Sequence, residues 1–271
     1  LGALRPHIIY LKLEKMELMT VTTALIDADS LIYFEMNKPT LEEAIAGIDE
    51  RIVNILKETK ADDFTGFLTV GKCFRYDRAK TRKYKGNRKK TDRPIIFYAL
   101  KEYLQQTWKF TYLTEVEADD LVCMYAQDPP NWATIVVCSP DKDVLQQLPG
   151  NHYNYRTGEW VYTTPAQARL FLWKQMLMGD PTDGIPGIPK VGEKTASAWL
   201  DDEEMADYPK IVLNKYIEKF GTHEGILKFT ETFRLVYILK TKEELERETG
   251  IKLPELTLHK FETNKDSELW Q

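Results

Sequence analysis

Cysteine is scarce: Cys73, Cys123 and Cys138 are the only three in 271 residues, and no C-x-x-C pair occurs. A disulfide framework and a thiolate zinc site are thereby excluded, and a reducing cytosol fits. No apolar run approaches the ~20 residues that a membrane span needs. G-x-S-x-G, the P-loop and G-x-G-x-x-G are all missing, so the local signatures of serine hydrolases, P-loop NTPases and dinucleotide enzymes are absent. The four histidines, His7, His152, His223 and His259, stand far apart in the chain and read as surface or core residues rather than ligands. No internal repeat or low-complexity tract is present.

What is there is a globular composition, 43% hydrophobic and 29% charged, enough to bury a core in one large domain or two unequal ones. The net charge of −5 taken as an average argues against a nucleic-acid binder, but it conceals an asymmetry. Between Lys72 and Arg93 eleven Lys or Arg face two acids, Asp77 and Asp92, a local +9 that leaves −14 for the rest. A run this dense reads either as a solvated loop or as a phosphate-attracting one carrying Tyr76 and Tyr84 for stacking on unpaired bases.

The hydrophobic pattern alternates. Short β-branched runs at 22–26, 64–70, 110–113 and 134–138 read as strands, and helical periods cover 41–58, 94–106 and 118–126. A further helix opens at Ser139-Pro140-Asp141, and 152–163, with a Thr157-Gly158 turn, reads as a hairpin. Strands alternating with helices imply an α/β fold with a mainly parallel sheet flanked by helices. From Pro165 the pattern is helical, interrupted by a Gly/Pro-rich turn at 179–192. The domain boundary is placed near 164: residues 1–21 as a non-native or flexible extension (Met16 or Met19 being the natural start), 22–164 as the α/β core with the basic segment 71–93, and 165–271 as a helical subdomain.

Acids recur just after the expected strands: Asp27 and Asp29; Glu117, Asp119 and Asp120; Asp141 and Asp143. Asp180 and Asp183 follow in the turn after the helix that opens at Pro165. Any one cluster is also an ordinary helix start, where a carboxylate accepts free N–H groups and complements the dipole. Four together weigh differently. Parallel strands bring their carboxyl ends to one sheet edge, so the first three groups converge. Converging carboxylates repel and need protons or a cation. Oxygen ligands without Cys or His select Mg²⁺ or Mn²⁺, and a set this large suits two ions, the arrangement that clamps both oxygens in phosphodiester hydrolysis.

The markers I-D-A-D at 26–29, Y-K-G-N-R at 84–88, V-E-A-D-D at 116–120, S-P-D-K-D at 139–143 and G-D-P-T-D-G-I-P-G-I-P-K-V-G-E-K-T-A at 179–196 occur in one order. In that order, from about residue 22 to 240, the chain resembles the 5′-nuclease or flap-endonuclease superfamily, in particular bacteriophage-type 5′→3′ exonucleases and the 5′-nuclease domain of bacterial DNA polymerase I. The resemblance implies a PIN-like core with a C-terminal helix–three-turn–helix subdomain. It implies metal ligation by Asp27, Glu117, Asp119, Asp120, Asp141, Asp143, Asp180 and Asp183, with Asp119, Asp120 and Lys85 catalytic, the lysine at the base of an arch approaching the scissile phosphate. It implies DNA contacts from Arg75, Tyr84, Lys85, Arg88, Gly187, Lys190, Gly192 and Lys194, and K⁺ at the helical turn. The expected partner is DNA with a 5′ single-stranded end or flap, or an RNA–DNA hybrid, bound by a monomer in the cytoplasm, the host's if the chain is viral.

One departure stands out. The family places a further metal-binding Asp at the end of the second strand; counting back from Gly71-Lys72-Cys73-Phe74-Arg75 puts Leu68 there, and no acid lies between Asp63 and Asp77. The expected function is a metal-dependent 5′→3′ exonuclease or flap endonuclease. The rival expectations are a structure-specific DNA-binding protein with impaired catalysis, and a ribonuclease on a similar acidic α/β fold.

Overall fold

The computed structural model describes residues 21–88, 93–127 and 133–261; the extension expected at 1–21 falls, but for Val21, outside them. Lys89 and Lys90 of the basic segment also lie outside the described residues.

β1 (Val21–Asp27) lies at the centre of a six-stranded sheet, between β2 (Asp63–Phe67) and β3 (Ala133–Cys138), parallel to both. β4 (Gly150–Asn154) continues the parallel set beside β3, and β5 (Glu159–Thr163) closes that side as the expected hairpin. The order β5-β4-β3-β1-β2, with β2 and β3 on opposite sides of β1, puts a topological switch at the carboxyl ends of β1 and β3, where open α/β sheets form clefts.

Both faces of the sheet are covered, and β1 and β2 are buried over most of their length. Ala24 and Ile26 pack under α1 (Asp29–Glu35), α2 (Leu41–Thr59) and a later helix, α4, while Leu25 packs under α5 on the other face. The four-residue α3 (Arg75–Arg78) lies within the basic segment, followed by α4 (Ile95–Gln106), α5 (Ala118–Gln127) and α6 (Lys142–Gln147). α2 has the Thr40 side chain accepting from the Glu43 N–H at its start and Lys60, at φ +51°, ending it.

Two expectations are corrected, and one helix goes beyond them. Residues 110–113 form no strand, only a bridge between Thr111 and Phe67, because the free edge of β2 is shared: its far end pairs with β8 (His259–Lys260). The strand expected over 64–70 stops at Phe67 and the chain then turns out to the cleft. The seven-residue α1 was not read from the pattern at all.

The C-terminal part is helical: α7 (Pro165–Met178), α8 (Glu193–Leu200), α9 (Tyr208–Phe220), α10 (Thr222–Val236) and α11 (Lys242–Thr249). Two-residue strands β6 (Gly179–Asp180) and β7 (Ile185–Pro186) tie the turn between α7 and α8. The boundary at 164 is nevertheless crossed. Ile238, Leu239 and Leu245 join the core over α5, and β8 returns to the main sheet.

Candidate metal centre and nucleic-acid interface

Asp27 is the last residue of β1, and its buried Oδ2 accepts the Ser139 hydroxyl, from the end of β3, at 2.8 Å. Burial, then the neighbouring Asp29 and Asp141, push its carboxyl up to about 7. Asp119, at the start of α5, is raised by burial, then by Asp120 and Glu117. Asp141 caps α6 by accepting the Asp143 N–H at 2.7 Å, and it too is raised, by burial and by Asp183 and Asp180. Asp143 reaches about 7 through burial, Asp141 and Asp180. Its buried Oδ1 has no hydrogen-bond partner among the described residues. The convergence read from the strand ends is thus present, and it includes the 179–183 turn.

Glu117 behaves oppositely. Burial favours its neutral form, but Arg75 and Lys85 outweigh that and hold it at about 2. Its Oε2 accepts from Arg75 Nη1 (3.0 Å) and the Tyr84 hydroxyl (2.9 Å), and its Oε1 accepts from Lys85 Nζ. Asp183 is held by Tyr84 (3.0 Å), Arg88 Nη2 (2.5 Å) and Lys85 Nζ (3.5 Å). The Lys85 N–H also bonds the Asp183 carbonyl at 2.8 Å, from a left-handed backbone at φ +53°.

Arg75 and Asp120 pair with each other in the interior. Arg75, read as a DNA contact, is 2% exposed. It donates to both Asp120 oxygens at 2.6 and 2.7 Å, to Glu117 and to the Tyr237 carbonyl at 2.8 Å. Asp120, read as a catalytic metal ligand, is fully buried; the Leu239 N–H (2.9 Å) and a long bond from the Glu117 N–H (3.4 Å) add to the two from Arg75. A carboxylate offers about four lone-pair directions, and all are taken. One oxygen each of Glu117, Asp119 and Asp120 lie within 4.8 Å of one another, a grouping able to hold a metal ion, while the pairing with Arg75 lets Asp120 brace the site from behind. It fastens the core to the chain after α10.

The basic segment is not a free-standing arch over 71–88. Tyr84 is buried, Cys73 bridges to Glu115, and the Asn87 side chain donates to the Pro181 carbonyl at 2.6 Å. Much of the +9 is answered by the protein's own acids: Arg75 and Lys85 as above, and Arg78 by Glu248 at 3.2 Å. Lys72, Lys80, Arg82, Lys83 and Arg88 are exposed.

At the helical turn, Lys190 (φ +68°), Gly192 and Lys194 are exposed, and Gly192 opens α8 with free space around its Cα. Gly187 has another reason to be glycine. A Cβ there would lie 2.2–2.4 Å from the backbone of residues 177–179, so the residue serves the close approach of β7 to β6.

A cleft of about 300 Å³ lies in front of the carboxylates, with Asp27, Asp29, Glu117, Asp119 and Asp141 as its floor and Lys85 and Arg88 on one side. Its other wall was not read as a unit. Arg93 lies over the Phe97 ring (4.1 Å) and donates to the Tyr33 hydroxyl at 2.8 Å, with Lys101 nearby. The pieces were visible, Arg93 as the end of the basic run and Tyr33 six residues after Asp27, but only α1 and α4 bring them together. Leu68 is fully buried in the core, so the counted position does not face the cleft; Thr69 does.

Residues 22–169 match the family described as 5′-3′ exonuclease, N-terminal resolvase-like domain. The chain is 31% identical over 147 residues to the exodeoxyribonuclease of Enterobacteria phage T3, covering 52% of this chain and 46% of that protein. It is 28% identical over 232 residues to DNA polymerase I of Mycobacterium leprae, covering 74% of this chain and 25% of that one. It therefore spans less than half of either relative. Among solved structures, a bacteriophage T5 protein co-crystallised with metal ions superimposes with a TM-score of 0.63 at 18% identity, covering 84% of this chain and 97% of that one. The T5 flap endonuclease in a complex with DNA and metal ions gives 0.58 at 20%, covering 79% and 88%. The fold is shared with these T5 structures, and the chain belongs to the 5′-3′ exonuclease family.

Proposed function

We propose that the protein is a divalent-metal-dependent 5′→3′ exonuclease or flap endonuclease that hydrolyses phosphodiester bonds at the 5′ ends of DNA. The observation that carries this reading is the meeting of carboxylates from the end of β1, the start of α5 and the chain after β3 in one cleft flanked by cations, with Asp180 and Asp183 of the 179–183 turn close enough to raise Asp141. The donor set fits a hard cation: all oxygen, with an orphaned buried Asp143 Oδ1 and four carboxyls raised by burial and then by neighbouring acids. Asp27, Asp119, Asp141, Asp143 and Asp180 are the residues to hold Mg²⁺ or Mn²⁺, with room for two ions. Such ions supply charge neutralisation and a nucleophile at neutral pH.

The chain's own residues then divide the work. Lys85 is kept protonated by Glu117 and Asp183, which overcome the opposing effect of burial, so it carries a full positive charge at the cleft. Its ammonium stabilises charge developing on the phosphate. Arg75 and Asp120 fix Glu117. The exposed Lys72, Lys80, Arg82, Lys83 and Arg88 attract the 5′ single strand, and Lys190, Gly192 and Lys194 grip duplex backbone where the start of α8 adds a favourable dipole. K⁺ at that turn, action on RNA–DNA hybrids and a monomeric, cytoplasmic protein complete the reading; three buried, unpaired thiols suit a reducing compartment. The organisation into a 22–164 nuclease core and a helical DNA-binding part after 165 belongs to the same proposal, with the return of 238–261 to the core as its amendment.

A 5′-labelled flap duplex incubated with Mg²⁺, with EDTA as control, tests it. Release of short 5′ products only in Mg²⁺ is the expected result; intact substrate at high enzyme concentration refutes it. A second reading, a DNA-binding protein with impaired catalysis, is favoured by the lack of any acid at the end of β2, and it predicts flap binding with no cleavage.

A further inference from the structure

The exit from β2 offers the cleft no carboxylate of its own: Leu68 points into the core and Thr69 follows it to the surface. Another acid stands at that corner. Asp29 belongs to the first turn of α1, yet its Oδ1 accepts the Thr69 N–H at 3.0 Å, forty residues further along the chain. The usual reason for an acid at a helix start does not account for it. Ala28 is the N-cap, and no side-chain cap is formed there.

Thr69 is fixed at its other polar atoms as well. Lys101 Nζ donates to its carbonyl, and its Oγ1 accepts the Ala118 N–H at 2.9 Å, between Glu117 and Asp119. The Asp29 carboxylate is therefore held against the β2 exit, in register with the start of α5, and lines the same cleft as Asp27, Asp119 and Asp141. The Thr69 N–H and hydroxyl use two of about four lone-pair directions, and Lys101 adds a positive charge nearby, which still leaves directions open to a hard cation.

We propose that Asp29 is a metal-ligating residue, supplying from α1 the carboxylate that the end of β2 lacks. The assignment rests on the metal-dependent reading above. It also answers the second reading, because a site with Asp29 is not short of an acid.

The test is direct titration of the purified protein with Mn²⁺ alone, followed by calorimetry and by electron paramagnetic resonance, alongside flap cleavage. Asp29→Asn keeps an oxygen that can accept the Thr69 N–H, so the fold is retained. We expect Mn²⁺ affinity at one site to fall about tenfold or more, with cleavage falling in step and recovering partly at high Mn²⁺. Adding Thr69→Asp to Asp29→Asn returns a carboxylate to the β2 exit and should restore Mn²⁺ binding; an Asp there can still accept the Ala118 N–H. Mn²⁺ binding unchanged in Asp29→Asn, with the wild type binding normally, overturns this assignment alone. A wild type that takes up no Mn²⁺ overturns both it and the metal-dependent reading.

Discussion

The acids around the cleft fall into two groups that burial alone does not distinguish. Glu117, Asp120 and Asp183 are surrounded by Arg75, Lys85, Arg88 and Tyr84. Asp27, Asp119, Asp141 and Asp143 are raised by desolvation and then by neighbouring acids, and Asp143 retains an unanswered oxygen. The first group is neutralised by the chain itself. The second is stable only with protons or a cation between its members. A site made only of the first kind would have nothing to offer a metal, and one made only of the second would have nothing to hold it together.

The sharpest way to break this comparison is one substitution from each group. Asp119→Asn should lower flap cleavage by ~1,000-fold or more. DNA binding should stay within about twofold, because phosphate contacts set it. If the variant still cleaves, the metal centre is misplaced. Arg75→Ala should instead cost about 3–5 kcal/mol of unfolding free energy, since it strands a fully buried Asp120 and removes one of the three donors to Glu117; urea unfolding measures this. Asp143→Asn is the counterpart. In EDTA it should leave stability unchanged or raise it, because a repelling carboxylate is removed.

The groups also differ in the sign of their pH dependence. With EDTA present, Asp27 and Asp143 titrate near 7 in the folded protein, against an ordinary carboxyl value of 3.8. Between those limits the folded state holds more protons than the unfolded one, so their contribution to stability falls as pH rises. Glu117, held at about 2 against 4.5, contributes stability that is complete above 4.5 and lost as pH falls through about 2. From pH 5 to 7.5, therefore, Asp27 and Asp143 change and Glu117 does not. The melting temperature in EDTA should fall over that range, and saturating Mg²⁺ should flatten it. A melting temperature in EDTA that does not change with pH would put both groups in the same class.

Much of this was legible in the sequence, for identifiable reasons. Acids at strand ends and a parallel sheet fix convergence by topology alone, so Asp27, Asp119, Asp141 and Asp143 could be read without coordinates. What could not be read was partner choice in the interior. Arg75 stands in a run of cations that looks solvated, and only the meeting of α3, α5 and the chain after α10 turns it inward. Leu68 failed as a position for a related reason. A count along the sequence gives the residue number, but alternation past the end of β2 decides that Leu68 faces the core and Thr69 the cleft. Asp29 was visible as an acid after a strand, yet its reach to Thr69 depends on α1, whose seven residues leave too short a period to detect.

The smallest effect extends the comparison from acids to cations. Arg75 and Lys85 are engaged by buried carboxylates, whereas Lys190 and Lys194 are exposed beside the open start of α8. Each lysine that neutralises a phosphate releases a counterion, so Lys190→Ala and Lys194→Ala should each reduce the slope of log Kd against log salt by about one. The loss should be similar for any duplex sequence, since no base is read, and cleavage of saturating substrate should be unchanged. Arg75→Lys, by contrast, should leave the slope as it is. A slope lowered equally by Arg75→Lys would mean that Arg75 leaves Asp120 when DNA binds, and the division between bracing and binding cations would then hold only for the free protein.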